Sequence, residues 1–405
     1  MIRAIRGNNT FGEICGICVM ESKENMNRTE ELFFYILSAV VQDAALETQR
    51  FNAMTPEEWS ELFRLSKTQG VTAVVFEKLS AAFDECEDFP RPPKALTLNW
   101  YAQSQSIERK MATIHKRSEE FAGLMEEKGL QTLVLKGIAV SSYYPNPLHR
   151  EFGDLDCYLF EGTVDNIRWG SGYEKGNLLA EELGAHVRRG HYKHSHVVFK
   201  KQEIENHQYF LPIRGSKANK ALEKQLRKCV ETKGFHAKEG TALLCPNADF
   251  NALFLTAHAI NHFLYESVKV RHLLDWALFL NAEQENVDWD LFWTWCDKMH
   301  FTRFVQCLHI ICEHYMDLRL PQHPGQTKEM SSIGLEGLAN RVLADILTGD
   351  NVYNKGNSNL MVRLNLVKNF FASAWKYHRV VQKCMLTDLV RQVTATVWDK
   401  HPTIK

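Results

Sequence analysis

LVLKGIAVSSYYPNPLHREFGDLDCYLF, residues 133–160, is the stretch whose reading decides the fold. It opens on an apolar strand, turns at Lys136-Gly137, runs through a short helix to Tyr144-Pro145, and closes on a second apolar strand. Asp154 and Asp156 stand at the start of that second strand, separated by one residue. In extended backbone, side chains two positions apart point to one face, so the two carboxylates converge. Like charges so placed repel, and a divalent cation relieves the repulsion. Mg²⁺ in particular is commonly held by one or two carboxylates together with the phosphates of a substrate.

Outward from this stretch the grammar changes on both sides. From Asn27 to Gly129 the pattern is helical, with Leu32, Phe33, Ile36, Leu37, Val40 and Val41 repeating at three and four. Thr55-Pro56-Glu57-Glu58 has the form of a capping box, which starts a helix that stops near Gly70. A long helix from about Ala95 stops at Gly129. Short apolar runs then predict strands at 132–135, 156–160 and 196–199. Lys200-Lys201-Gln202 reads as a hairpin turn, with a return strand carrying Glu203 to His207. A basic amphipathic segment covers 217–233, and helices run from Asn247 to about Trp398 with a polar break at 349–359. The expected organisation is a flexible leader (1–26), an N-terminal helical region (27–130), a mixed α/β core (131–245) and a C-terminal helical region (246–405), an α+β fold in all. The residues before Met26 show little periodicity and read as a leader or as an upstream start.

Composition narrows the function classes. The chain has 405 residues, 45% hydrophobic content, and 48 basic against 49 acidic side chains for a net charge of −1. A chain this long buries a full core without staples, and its balanced charge disfavours a long nucleic-acid partner, whose phosphates demand clustered Lys and Arg. The sequence shows no bilayer-length apolar run and no secretory signal pattern, so a cytoplasmic location is expected. Ten scattered cysteines, with Cys296, Cys307 and Cys312 inside apolar helical patterns, suit reduced core thiols. Cys15 and Cys18 form a Cys-x-x-Cys without a nearby second ligand pair.

The ordered set Lys136, Gly137, Tyr144, Pro145, Arg150, Gly153, Asp154 and Asp156 resembles the polymerase-beta-like nucleotidyltransferase superfamily, and within it a bacterial family of uncharacterised nucleotidyltransferases. The resemblance implies a mixed sheet flanked by helices, and a metal-dependent transfer of a nucleoside monophosphate from an NTP to a hydroxyl of a small molecule, a protein or an RNA end. It implies Mg²⁺ or Mn²⁺ held by Asp154, Asp156 and a third carboxylate on the hairpin return. Ile204-Glu205-Asn206-His207 matches that strand of the family, which selects Glu205; Glu203 shares its face and competes. Lys136 and Gly137 are the expected phosphate contacts, and Arg150 contacts phosphate or acceptor unless it pairs with Glu151 or a backbone carbonyl. His196 and His207 complete the expected nucleotide site. His186, His191, His194 and His196, beside Arg188, Arg189 and Lys193, form either a phosphate-binding loop or an ordinary polar hairpin loop. The wider superfamily favours Gly-Ser where this chain has Lys136-Gly137, so a nucleotide-binding sensor or antitoxin-like module is the competing reading.

Two further clusters read as structure. His258 and His262 lie four apart on one helix, with Arg271 and Asp275 on the next, and the glutamate of a metalloprotease motif is replaced by Ala259. They are expected to tie helices to the core as a buried polar network, lining the nucleotide site. Trp276, Phe279, Trp289, Phe292, Trp293 and Trp295 are expected in the core.

Overall fold

A computed structural model describes residues 26–163, 166–324, 332–348, 373–383 and 385–386. The leader with Cys15 and Cys18, the polar break at 349–359 and the chain beyond 386 lie outside the described residues. At the centre is a seven-stranded mixed sheet, β1 (Gln131–Val134), β2 (Asp154–Phe160), β3 (His186–Arg188), β4 (His194–Phe199), β5 (Gln202–His207), β6 (Phe235–Ala237) and β7 (Leu243–Pro246), in the order β3-β4-β5-β2-β1-β7-β6. β2 pairs antiparallel with β1 and parallel with β5, and β4 and β5 form an antiparallel hairpin. The α+β fold with flanking helices is as the sequence implied.

Alternation along the strands sorts the two faces. Leu155, Cys157 and Leu159 of β2, with Val134, Val197, Phe199 and Ile204, pack against Met111, Ile114, Phe121 and Met125 of α5 (Lys94–Glu127). Helix α7 (Ser171–Glu182) presses on the same face, and a Cβ on its Gly172 would lie 2.2 Å from the Leu159 carbonyl oxygen, so only glycine permits that approach. On the other face Leu133, Tyr158 and Phe160 join a cluster with α8 (Lys217–Lys233), α9 (Ala248–Tyr265) and α10 (Val270–Glu283). That cluster continues into α1 (Arg28–Val41), α3 (Pro56–Thr68) and α4 (Thr72–Glu85), and into α11 (Trp289–Met299), α12 (Thr302–Met316) and α13 (Ser332–Thr348). The short α2 (Thr48–Phe51) buries Phe51 in it, and α6 is the single turn Ile138–Ser141 after β1.

Local signals act where the sequence placed them. Thr55 and Glu58 exchange the two bonds of a capping box at the start of α3. Gly70 and Gly129 have φ of 72° and 78°, the left-handed geometry that ends α3 and α5. The hairpin turn is shorter than expected. Lys200 and Lys201 alone occupy it, both with positive φ as a two-residue primed turn requires, and Gln202 already pairs with Phe199. β2 and β4 each begin two residues before the apolar run, at Asp154 and His194, because polar residues on the site face take part in the ladder. β3, β6 and β7 were not expected from the sequence; β3 and β6 are three-residue strands without an apolar run.

Seven cysteines of the described residues are free thiols, Cys296, Cys307 and Cys312 among them and buried. Trp276, Phe279, Phe292 and Trp293 are buried, while Trp289 and Trp295 pack half-buried against them.

Candidate active site

The face of β2 that carries Tyr158 and Phe160 also carries Asp154 and Asp156, at the strand's free beginning. Register sets Asp156 beside Glu205 and Asp154 beside Glu203 on the parallel neighbour β5. One strand further, His196 is the partner of Glu205 and His194 the partner of His207. A cross-strand row His196, Glu205, Asp156 therefore runs over β4, β5 and β2. The half-buried Glu205 turns to the buried Asp156, whereas Glu203 is exposed.

Asp156 is 3% exposed and sits between two cations or donors. Lys136 Nζ lies 3.0 Å from its Oδ2, and His207 Nε2 lies 3.2 Å from its Oδ1 and 3.4 Å from Glu205 Oε2. His207 Nδ1 is 3.1 Å from the Tyr209 carbonyl, which can only accept, so Nδ1 carries a proton and Nε2 faces two carboxylate oxygens. That convergence is stabilised by a proton or a metal ion on Nε2, and a carbonyl-oriented histidine is the usual outer support of a metal ligand. Burial opposes charge on Asp156, but Lys136 and His207 hold it well below the usual carboxylate range. Burial, then the charge of Asp156, raises Asp154. Lys136 is itself raised: burial works against its charge, and Asp156, Asp154 and Glu205 outweigh it. Glu205 is lowered, burial again opposing and the His207 bond prevailing.

The Lys136-Gly137 turn depends on its glycine. Gly137 has φ 60° and ψ −104°, and a Cβ there would stand 3.2 Å from the Phe152 ring. Ser141 and Ser142 give their hydroxyls back to the carbonyls of Ile138 and Ala139. Arg150 is 6% exposed and makes a bidentate pair with Asp275, at 2.9 and 2.8 Å, and Tyr144 donates to the same carboxylate at 2.7 Å. Its partner is thus Asp275 of α10, neither Glu151 nor a backbone carbonyl. Arg271 instead donates to the Glu151 carbonyl at 2.7 Å.

A cavity of about 390 Å³ opens between the sheet end and the C-terminal helices, with Lys136, Asp154 and Asp156 on one wall and His258, His262 and His272 on the other. His258 Nε2 and His262 Nε2 are 3.0 Å apart, His262 Nδ1 meets Glu266 at 2.7 Å, and His272 Nδ1 accepts from Lys269 N–H at 3.0 Å. Burial pushes His258 and His272 well below the ordinary histidine range. Among the described residues, the groups able to hold a metal ion are these three histidines, Asp156 with Glu205 and His207, and Glu205 with His194 and His196.

The chain matches the model of the uncharacterised nucleotidyltransferase family over residues 55–317. It belongs to that family. The matched span begins at α3, includes the whole sheet and ends after α12, so the helices around the sheet are part of the family's unit. The family's description makes this chain a nucleotidyltransferase and hence a transferase. No curated protein and no solved structure matches it. No helix of the described residues is long and apolar enough to cross a membrane.

Of the residues chosen from sequence, Asp154, Asp156, Glu205, His207 and Lys136 gather within one end of the sheet. His196 stands on its flank, 37% exposed, with Nδ1 3.9 Å from Glu205 Oε1. Lys193, which the sequence places beside the loop histidines, has its charge felt at Asp156 and Glu205 and is held below the usual lysine range by burial. His272 is not among the residues read from the sequence. His272 meets His258 and His262 only through the packing of α10 on α9, which no spacing in the sequence records.

Proposed function

We propose that this chain is a metal-dependent nucleotidyltransferase of the polymerase-beta-like kind, moving a nucleoside monophosphate from an NTP to a hydroxyl. The observation that carries the reading is the in-register row of Asp156 and Glu205, two residues along from Asp154, with an ammonium 3.0 Å from Asp156 at the edge of a cavity.

In this reaction the acceptor oxygen bonds to the α-phosphorus as the bond to the pyrophosphate oxygen breaks, and the acceptor proton passes to solvent water. Asp154, Asp156 and Glu205 are the groups that would hold Mg²⁺ or Mn²⁺; three carboxylates at one end of the sheet supply the oxygen ligands such an ion prefers, and His207 Nε2 steadies two of them. When bound, such an ion lowers the pKa of the attacking hydroxyl and neutralises charge on the triphosphate. Lys136 exchanges its partner Asp156 for phosphate oxygens, so the same ammonium stabilises the site before binding and the nucleotide after it. Gly137 lets the backbone approach beside it. Arg150, locked by Asp275 and Tyr144, contributes fixed positive charge to the cavity wall and gives the guanidinium a defined place. His258, His262 and His272 bound the space open to the base or acceptor.

A second reading, a nucleotide sensor, draws on the commitment of the Ser141 and Ser142 hydroxyls to helix carbonyls. Pyrophosphate release and thermal melting, compared for wild type and Asp156→Asn, separate the two. Transferase chemistry requires release in the wild type and a loss of orders of magnitude in a folded variant. A wild type that binds NTP and releases no pyrophosphate with any acceptor is a sensor.

A further inference from the structure

Beside the cavity, the β4–β5 hairpin presents two histidines, His194 and His196, to which the proposed transfer gives no role, next to Glu205, to which it does. His194 and His196 lie two apart on β4 and so share a face, and His196 is the register partner of Glu205. His194 Nδ1 is 3.3 Å from Glu205 Oε2, His196 Nδ1 is 3.9 Å from Oε1, and the donor atoms of the three all lie within 4.8 Å of one another. Bonds of about 2.0–2.2 Å to a tetrahedral ion put ligand atoms roughly 3.3–3.6 Å apart, so small side-chain movements bring these three around one centre. His194 Nδ1 is moreover buried with no hydrogen bond, although it points near a carboxylate oxygen. A buried polar atom left so calls for a partner.

We propose that His194, His196 and Glu205 form a zinc site on the β4–β5 hairpin, which shares Glu205 with the carboxylate cluster around Asp154 and Asp156. Two imidazoles and one carboxylate are the donor set of open zinc centres and are foreign to Mg²⁺, which prefers oxygen. The half-buried donors leave the ion an entry from solvent and a fourth position for water or for His207, whose Nε2 is 3.4 Å from Glu205 Oε2. Glu205 belongs to both donor sets, so zinc here draws on a carboxylate that the nucleotide site also needs. The zinc site itself stands on the geometry of the hairpin, whether or not the chain transfers nucleotides.

The test is stripping of the full chain with a chelator, titration with Zn²⁺ alone, and metal content after dialysis. Wild type is expected to retain zinc, and His194→Ala and His196→Ala to bind at least about tenfold more weakly. Asp154→Asn and His258→Ala are expected to bind zinc as wild type does. If either alanine variant unfolds, its glutamine counterpart replaces it, and histidine ¹⁵N resonances of wild type with and without Zn²⁺ give a readout that needs no variant. Perturbed ring nitrogens of His194 and His196 support the site. Failure of wild type to bind zinc, binding unchanged in both His194 and His196 variants, unperturbed resonances of those two rings, or loss of zinc in His258→Ala overturns it.

Discussion

Asp156 and Glu205 are register partners on parallel neighbouring strands, and both approach one nitrogen, His207 Nε2, at 3.2 and 3.4 Å. Two acids on separate segments, 49 residues apart in sequence, are thus brought to one point by a single strand pairing. The consequences of that convergence are measurable.

Lys136→Ala should weaken NTP binding roughly 10- to 100-fold, the worth of a charge-assisted bond of about 1.5–3 kcal/mol. It should also lower the melting temperature without metal, because buried Asp156 loses its ammonium. Added Mn²⁺ should restore part of that loss. Calorimetry and melting curves with and without Mn²⁺ check both; wild-type affinity in the variant would remove Lys136 from phosphate binding.

Asp154→Asn should stabilise the metal-free protein at pH 7 while abolishing turnover. Burial and the charge of Asp156 raise the Asp154 pKa in the folded state, so the carboxylate opposes folding once pH exceeds its unfolded value, about 3.9. The penalty grows as pH rises through the window up to the folded pKa and is absent below it. Asp156 has the opposite sign: its lowered pKa stabilises the fold above about 3.9, and that contribution is lost as pH falls toward the folded value. Urea denaturation across pH should therefore show Asp154→Asn gaining on wild type above pH 4 and Asp156→Asn losing.

The difference between these two carboxylates marks what the sequence could and could not disclose. Period-two spacing was enough to put Asp154 and Asp156 on one face, whereas the hairpin return left Glu203 and Glu205 both open and only the family resemblance chose Glu205. Which of them is buried depends on β5 and Lys136 closing over Asp156, a packing fact with no local signature. Arg150 shows the same limit: its partner, Asp275, lies 125 residues away, whereas the sequence offered a phosphate or acceptor, its neighbour Glu151 or a backbone carbonyl. Helix ends were legible because capping boxes and left-handed glycines act within a few residues. β3 and β6 were not, because three-residue edge strands with exposed side chains carry no apolar alternation.

Asp275→Ala should cost about 3–5 kcal/mol, since it strands the Arg150 guanidinium, 6% exposed, without a counter-charge. Tyr144→Phe removes only one bond to that carboxylate and should cost about 1.5–3 kcal/mol. Equilibrium denaturation of both variants checks the order; an Asp275→Ala protein as stable as wild type would mean the pair does not hold α10 to the core.

Gly137→Ala should destabilise by about 1–3 kcal/mol, because φ 60° with ψ −104° suits only glycine and the added methyl meets Phe152. NTP affinity should fall with it as the neighbouring Lys136 shifts. Unchanged stability and affinity would show that the turn tolerates a side chain.

Nucleotidyl transfer itself is tested most directly by incubating the protein with Mg²⁺ or Mn²⁺, cell extract and each NTP, labelled either at the α- or at the γ-phosphate. An acceptor is expected to become labelled from the α-labelled nucleotide only, with pyrophosphate released, and Asp156→Asn to label nothing. Label arriving from the γ-position, or equal labelling by a folded Asp156→Asn protein, would contradict it.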